Sequence, residues 1–385
     1  MRGVCVNISN KKKMTKVHKN LVKLTVTLYV NLMFDRLPSK ATRTSSVGMW
    51  LALCTGMVAF MILLGGATRL TDSGLSIVDW RPLTGIFPPL NEADWIVLYE
   101  KYKSTAEFQR QNFWMGPDDF KSIFWLEFLH RVMGRIIGVA FVFPFLWFLI
   151  SGKLAGGLLP KCSLILALGC VQGYMGWYMV QSGLTERTDV SQYRLAAHLG
   201  LAIIIFMALL WLSLTTLQPG KKRKHQLSKI TKAFIFIVFT TTIAGAFVAG
   251  IDAGLAYNTF PLMDDRYLPV GWLQMEPVWR NFFENTATVQ FIHRHLGIFA
   301  VIFAILLWVR AWQKNLTGRA KWAANLVAIM AFIQMGLGIT TLLTKVPLIF
   351  GLMHQAGALC VISLSVWMLY ELTTERYKYS KLAKL

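Results

Sequence analysis

The chain has 385 residues, 55% of them apolar and only 15% charged, with a mean hydropathy of +0.48. Soluble globular chains run near about 45–50% apolar and about 25% charged, so this composition excludes that class and points to a membrane protein. Lys and Arg number 40 against 19 Asp and Glu, a net charge of +21, which in a soluble protein would suggest a nucleic-acid partner.

Residues 1–46 are basic, carry one acid and hold no sustained apolar run. Three readings fit them: a targeting segment, a lipid-facing tail, or a start codon placed too early. Lys outnumbers Arg and Ser is sparse, which disfavours a mitochondrial presequence, and the segment is left outside the fold argument. Eight apolar runs of membrane-crossing length then follow, at 47–67, 122–150, 160–181, 192–217, 231–251, 287–309, 322–344 and 346–370. The expected fold is an all-α integral membrane protein of eight transmembrane helices. Sorting Lys and Arg by alternate connections places 26 on the side of the N-terminus and 11 on the other, with Arg131, Arg135 and Arg294 inside apolar runs. The positive-inside rule therefore puts both termini inside. Carboxylates sort oppositely, 3 inside and 15 outside, so the net charge is a topology signal and no nucleic-acid partner is expected.

The connection at 68–121 is the longest. Within it Trp95, Leu98, Tyr99 and Tyr102 recur at helical spacing beside Glu92, Asp94, Glu100 and Lys101. The pattern fits an amphipathic helix lying on the outer membrane face, or a small soluble cap.

The chain also repeats itself. Asp72-Ser73-Gly74-Leu75 matches Asp252-Ala253-Gly254-Leu255, Phe128-Leu129-His130-Arg131 matches Phe291-Ile292-His293-Arg294, Gln172 and Gly176 match Gln334 and Gly338, and His198 matches His354. Two tandem pseudo-symmetric four-helix bundles are expected, 47–220 and 221–385. Because four spans is an even number, both have the same orientation, a parallel repeat about an axis along the membrane normal.

Of seven His, the four at matched positions (His130, His198, His293, His354) lie in even-numbered spans that run from outside to inside, 6 to 9 residues after each begins. At about 1.5 Å per residue they share one depth, in the outer third of the membrane. A lone intramembrane His is often only a helix-to-helix hydrogen bond. Four at one depth, two per repeat, read instead as two bis-imidazole sites of the kind helical bundles use to hold haem or metal. Dinuclear iron bundles need paired Glu-x-x-His elements, and only Glu127-x-x-His130 is present. Gly134, Gly138, Gly173, Gly176, Gly200, Gly297, Gly336, Gly338 and Gly357 would admit a flat macrocycle or close helix packing.

Glu127 lies one helical turn before His130, whereas the matching position is Gln290. An intramembrane carboxylate is by default functional, its plainer role being an ion pair with Arg131 one turn on. Only an acid can move protons or stabilise positive charge near an iron, so chemistry is expected in the first half and a holding or electron-transfer role in the second. Arg131, Arg135, Arg294 and Arg69 are candidates to neutralise porphyrin propionates, or to snorkel and pair with outer-loop acids. His295 points away from His293 and is expected to carry no ligand role. His18 and His225 lie in basic inner segments and are expected to be solvated. Cys5, Cys54, Cys162, Cys170 and Cys360 form no readable disulfide or zinc framework.

Taken together, the residues resemble the haem A synthases of bacteria and mitochondria, from about 48 to 370. The elements that carry the resemblance are Gly65 to Ser76, Pro88 to Trp95, Glu127 to Arg135, Gln172 to Val180, Gln192 to Leu195, Asp252 to Asn258 and His354 to Ala358. The resemblance implies an enzyme that oxidises the C8 methyl of haem O to a formyl group by two successive two-electron oxidations through a hydroxymethyl intermediate. Its product is the haem A of terminal oxidases and its cofactor a bound haem b. It further implies that His293 and His354 ligate haem b, that His130 and His198 flank the substrate porphyrin, and that Glu127 is the essential acid. A carboxylate beside the ring would stabilise a carbocation in a low-dielectric site. The expected location is the bacterial inner membrane, with the mitochondrial inner membrane as alternative and the haem sites towards the outer face. Partners expected beside haem O and the lipid bilayer are haem O synthase, an electron-transfer partner and a second copy of the chain. Three features depart from the pattern. Some members carry a cysteine pair in an outer loop, and no Cys lies in an outer connection here, so the chain resembles the subtype lacking that disulfide; His295 stands where many relatives carry an apolar residue; and the basic tail is longer than in bacterial members.

Two other classes share some of these features. A membrane di-haem b-type electron carrier would need the same His pairs but no acid at 127. A transporter, suggested by the repeat, would need ionisable residues along a path through the membrane, whereas here they are confined to one end of the spans. The charge asymmetry also makes a topological prediction: a reporter fused after residue 220 is inside and one fused near residue 105 is outside. The reverse pattern would place the four His at the inner face.

Overall fold

The computed structural model describes residues 45–81, 84–154, 156–184 and 187–376. The basic tail, apart from its last two residues, and His18 lie outside them. Among the described residues are eight helices long and apolar enough to cross a membrane. They are α1 (Ser45–Leu70), α4 (Pro117–Ile150), α5 (Leu158–Val180), α6 (Gln192–Leu217), α7 (Leu227–Gly250), α9 (Thr286–Gln313), α10 (Gly318–Leu343) and α11 (Leu348–Thr373). Three short helices lie between them: α2 (Glu92–Lys103), α3 (Ala106–Arg110) and α8 (Asn281–Glu284). Each expected span is present, as it must be where lipid offers the backbone no hydrogen bonds and every amide is satisfied within its own helix.

α1, α6, α7 and α11 pack against one another in the middle, with α4 against α1, α5 against α6, α9 against α7 and α10 against α11. Each contact made by a helix of the first four thus has its counterpart in the last four. The large apolar core runs through this central group, with Leu51, Ile203, Leu209, Phe234, Ile362 and Leu369 each at most 1% exposed. The link between α6 and α7 is stitched to the end of α11 by two short antiparallel strands, β1 (Gly220–Lys222) and β2 (Thr374–Arg376).

Helix ends explain the main difference from the sequence reading. α4 begins at Pro117, five residues before the apolar run, because Pro fits the first helical turn and the Asp119 carboxylate accepts the Gly116 N–H at 3.0 Å. His225 is not simply solvated, since its Nδ1 accepts the Leu227 N–H at 3.2 Å where α7 begins.

The α4 extension also supplies the packing partner of 92–103. Trp95 meets Phe124 edge-on at 4.8 Å, Tyr102 stacks on Phe120 at 5.2 Å, and the Tyr99 hydroxyl donates to the Met115 carbonyl at 2.6 Å. The apolar stripe of α2 therefore packs on α4 and forms a small cap with its own core of Tyr102, Phe120, Ile123 and Phe124. Phe120→Ala removes the ring at the centre of this cluster and should cost the cap about 3–5 kcal/mol. Limited proteolysis should then cut faster within 92–116 while the eight spans stay protected.

Candidate functional site

The odd-numbered spans end, and the even-numbered spans begin, at one end of the bundle, and all four matched His lie there. His198, His293 and His354 follow the starts of their helices at Gln192, Thr286 and Leu348 by about two turns, and His130 follows Pro117 by nearly four, the excess being the α4 extension. Facing each ring is a glycine of a neighbouring span. A Cβ added at Gly65 would lie 3.1 Å from the His130 ring, at Gly176 3.1 Å from His198, at Gly245 2.9 Å from His293 and at Gly338 2.7 Å from His354. Each imidazole thus occupies room that only a missing side chain provides.

The second half forms a defined pair. The His293 and His354 ring centroids are 6.2 Å apart with perpendicular planes. His293 Nδ1 lies 3.1 Å from the Thr241 carbonyl, and Gln334 Nε2 reaches both His354 Nδ1 at 3.1 Å and the His354 carbonyl at 2.8 Å. Both rings are anchored through Nδ1, which leaves Nε2 of each to the space between the helices. Anchoring one ring nitrogen on a carbonyl or amide is what orients a metal-ligating imidazole.

The first half is looser. Gln172 Nε2 reaches His198 Nδ1 at 3.2 Å and the His198 carbonyl at 3.1 Å, repeating the Gln334 arrangement, but buried His130 Nδ1 has no hydrogen-bond partner. The sequence repeat aligns Gln172 with Gln334 without assigning them this work. The readable signal is a Gln and a Gly four residues apart in both halves, one helical turn, which faces both residues towards the same neighbouring helix. Gly65 and Gly245 are absent from the sequence-derived set as well, although each stands seven residues before the matched Asp72 and Asp252.

Glu127 is 2% exposed and fully engaged. Its Oε2 accepts from the Ser76 hydroxyl at 2.7 Å and the Ile77 N–H at 2.8 Å, and its Oε1 accepts from Arg131 Nη2 at 2.6 Å and Nε at 3.0 Å. Arg131 goes on to the Ile77 and Asp79 carbonyls at 2.7 and 3.0 Å. In the second half Arg294 binds the Tyr257 and Thr259 carbonyls at 2.6 and 2.8 Å and the Gln290 side chain at 2.9 Å, while Gln290 donates to the Ala253 carbonyl at 2.6 Å. Each Arg therefore clamps the loop that follows the first span of its half, and Arg135 also donates to a loop carbonyl, that of Arg81, at 2.7 Å. His295 stacks on Phe291 at 3.8 Å and its Nε2 lies 3.2 Å from the Tyr267 hydroxyl, so it belongs to neither pair.

Asp72 and Asp252 both adopt left-handed backbone, φ 49° and 50°, where α1 and α7 stop, a conformation that Asp tolerates better than most residues. Between them sits Arg69, 2.5 Å from Asp72 and 2.8 Å from Asp252, with Asp189 at 3.9 Å. One cation thus joins the corresponding turns of the two halves.

These features define a multi-pass membrane protein that holds one pair of facing imidazoles, His293 and His354, and two further imidazoles, His130 and His198, all beside glycines of neighbouring helices. Residues 48–366 match the COX15-CtaA family, described as cytochrome oxidase assembly protein, and the chain belongs to that family. It is 46% identical over 331 residues to the "Heme A synthase" of Nitrosospira multiformis, covering 85% of this chain and 93% of that one. It is 42% identical over 347 residues to the "Heme A synthase COX15" of Bos taurus, covering 87% and 84%, and the Homo sapiens protein of that name matches to the same extent.

Arg69→Gln leaves Asp72 and Asp252 facing each other without their cation. Because both carboxylates are largely exposed, thermal stability of the detergent-solubilised protein should fall by only about 1 kcal/mol at neutral pH. Much of that loss should vanish at high ionic strength, where salt screens the repulsion between the two exposed carboxylates.

Proposed function

We infer that this chain is a haem A synthase, an oxidoreductase that converts haem O to haem A for cytochrome oxidase. The observation that carries this reading is its 42–46% identity, over most of its length, to relatives bearing that name, together with the paired imidazoles. The reaction is oxidation of the C8 methyl to a formyl group through a hydroxymethyl intermediate.

The second-half pair fits a resident haem b. His293 and His354 face each other with centroids 6.2 Å apart, each anchored through Nδ1, and these are the two side chains that would hold it. Bound there, haem b would supply a one-electron redox centre. His293 and His354 hold it, Thr241 and Gln334 fix their rings, and Gly245 and Gly338 make room. The first half takes the substrate haem O between His130 and His198. The lack of a partner at His130 Nδ1 suits a ligand that must release its porphyrin as product, whereas a resident cofactor favours the two anchored rings of the second half.

Glu127 keeps its acid role in this reading as a fixed negative charge. Four donors hold it in place one turn from His130, where it can stabilise positive charge developing on the substrate without reorganising. Arg131 and Arg294 serve first as loop clamps, and any contact they make with a propionate is secondary. The termini lie inside, in a bacterial or mitochondrial inner membrane, with both sites towards the outer face. Haem O synthase, an electron-transfer partner and a second copy of the chain are the partners this reading favours.

Replacing His293 or His354 by Ala should collapse a low-spin bis-imidazole spectrum in the purified protein. Retention of that spectrum in both variants would move the resident haem to the first half. Glu127→Gln should leave that spectrum intact and lower haem A formation in cells by about 100- to 1,000-fold, with haem O accumulating. Normal haem A output would reduce Glu127 to a partner for Arg131.

A further inference from the structure

Beside the first-half site lies a second buried acid to which no role has been given. Glu107, on the short α3 of the outer cap, is 2% exposed. Tyr102, itself fully buried, lies beside its carboxylate and accepts from Asn112 Nδ2 at 2.8 Å. One carboxylate oxygen, Oε2, is buried and has no hydrogen-bond partner. No Lys or Arg forms an ion pair with it among the described residues. The charged groups that act on it most strongly from neighbouring elements are all acids: Glu127 of α4, Asp72 at the end of α1 and Asp189 before α6. Burial first, and these carboxylates after it, raise its pKa to about 8, against an ordinary carboxyl near 4.5.

A carboxyl in such a place is costly to keep ionised and, with one oxygen unpaired, contributes little as a structural tie. The chemistry next to it needs somewhere to put protons. In the second half of the reaction an R–CH2OH group becomes R–CHO: one C–H and one O–H bond are broken and a C=O bond is formed. Two electrons leave, one at a time, to an acceptor of the ferric-haem class, and two protons must leave as well. Glu127 is ill placed to take them, since each of its oxygens already accepts two hydrogen bonds and one of the two is paired with an Arg.

We propose that Glu107 is the proton-holding group of the first-half site, taking up protons released as the substrate alcohol is oxidised and passing them to the outer side through the cap. This rests on the haem A synthase reading. The carboxylate accepts one proton, becomes the neutral acid, and returns to the carboxylate when that proton is lost outward. Tyr102 and Asn112 position it, and the three surrounding acids favour its protonated form. It acts through proton transfer.

Two measurements on the full-length, haem-loaded protein test this. Infrared difference spectroscopy across a pH titration should show the carbonyl stretch of a protonated carboxylic acid that disappears near pH 8 and is missing in Glu107→Gln. The same band in the Gln variant would overturn the proposal whatever the enzyme makes. The second measurement is the rate of hydroxymethyl-to-formyl conversion against pH. The wild type should speed up as pH rises through about 8, because only the carboxylate can accept a proton. Glu107→Gln should lose that rise, run about 100-fold slower and keep its haem spectrum. An unchanged pH profile in Glu107→Gln would sink the proposal, and Glu107→Asp, which restores an acid on a shorter arm, should recover part of the rise. A wild type that binds haem but makes no haem A would count against the function reading alone, since the infrared result stands apart from it.

Discussion

An imidazole is too wide to sit between two helices in contact unless one of them gives up a side chain at that height. Among the described residues four such positions exist, at Gly65, Gly176, Gly245 and Gly338, and each is filled by the ring of a His from a neighbouring span. Much else depends on this constraint. Because the glycines stand four or five residues before their helices end at Leu70, Val180, Gly250 and Leu343, the rings gather at one end of the bundle. The other end is left to apolar side chains that pack as a continuous core. A polar, room-demanding end and a dry, close-packed end are thus two results of one placement of small residues.

The halves share this plan and differ in how tightly it is executed. Both Gln-to-His contacts and both Arg clamps recur, down to the guanidinium nitrogen that binds each carbonyl. What does not recur is the anchor on the second span's ring, present at His293 and missing at His130, and the Glu at 127 against the Gln at 290. The same loop is tied by a carboxylate that accepts from Ser76 and Ile77 in one half and by an amide that donates to Ala253 in the other. A duplicated scaffold can therefore carry a fixed negative charge on one side only, without disturbing the turn it supports. The cap deepens the asymmetry, since α2 and α3 lie only between α1 and α4 and bring Tyr102 and Glu107 to the first half alone.

The spans are legible in the sequence because runs of apolar residues report membrane thickness directly, and the four His are legible because a repeat multiplies a weak signal. The true start of α4 is not, since Pro117, Asp118 and Asp119 are polar and are helical through capping and through the aromatic packing of Phe120 against α2. The α2 stripe is visible, but its partner is not, because periodicity marks a buried face without naming what covers it. Arg131 and Arg294 stand out as costly residues, yet their carbonyl partners have no sequence identity, and an anionic ligand is the natural expectation. Glu107 gives no signal at all, since an acid in a polar loop looks ordinary until the fold buries it.

Arg69 breaks the repeat at the junction of the halves. It stands three residues before Asp72, and the residue three before Asp252 is Ala249. One cation therefore bridges two aspartates that the pseudo-symmetry brings to the same place. The two four-helix units are for that reason not interchangeable. Two copies of the second would meet with two aspartates and no cation between them, and two copies of the first would meet with two aspartates and two cations, one for each. Only one of each gives the observed arrangement, so a gene encoding a single unit could not assemble the present molecule from identical subunits. The asymmetry at residue 69 thus gives the first half a part in the junction that the second lacks.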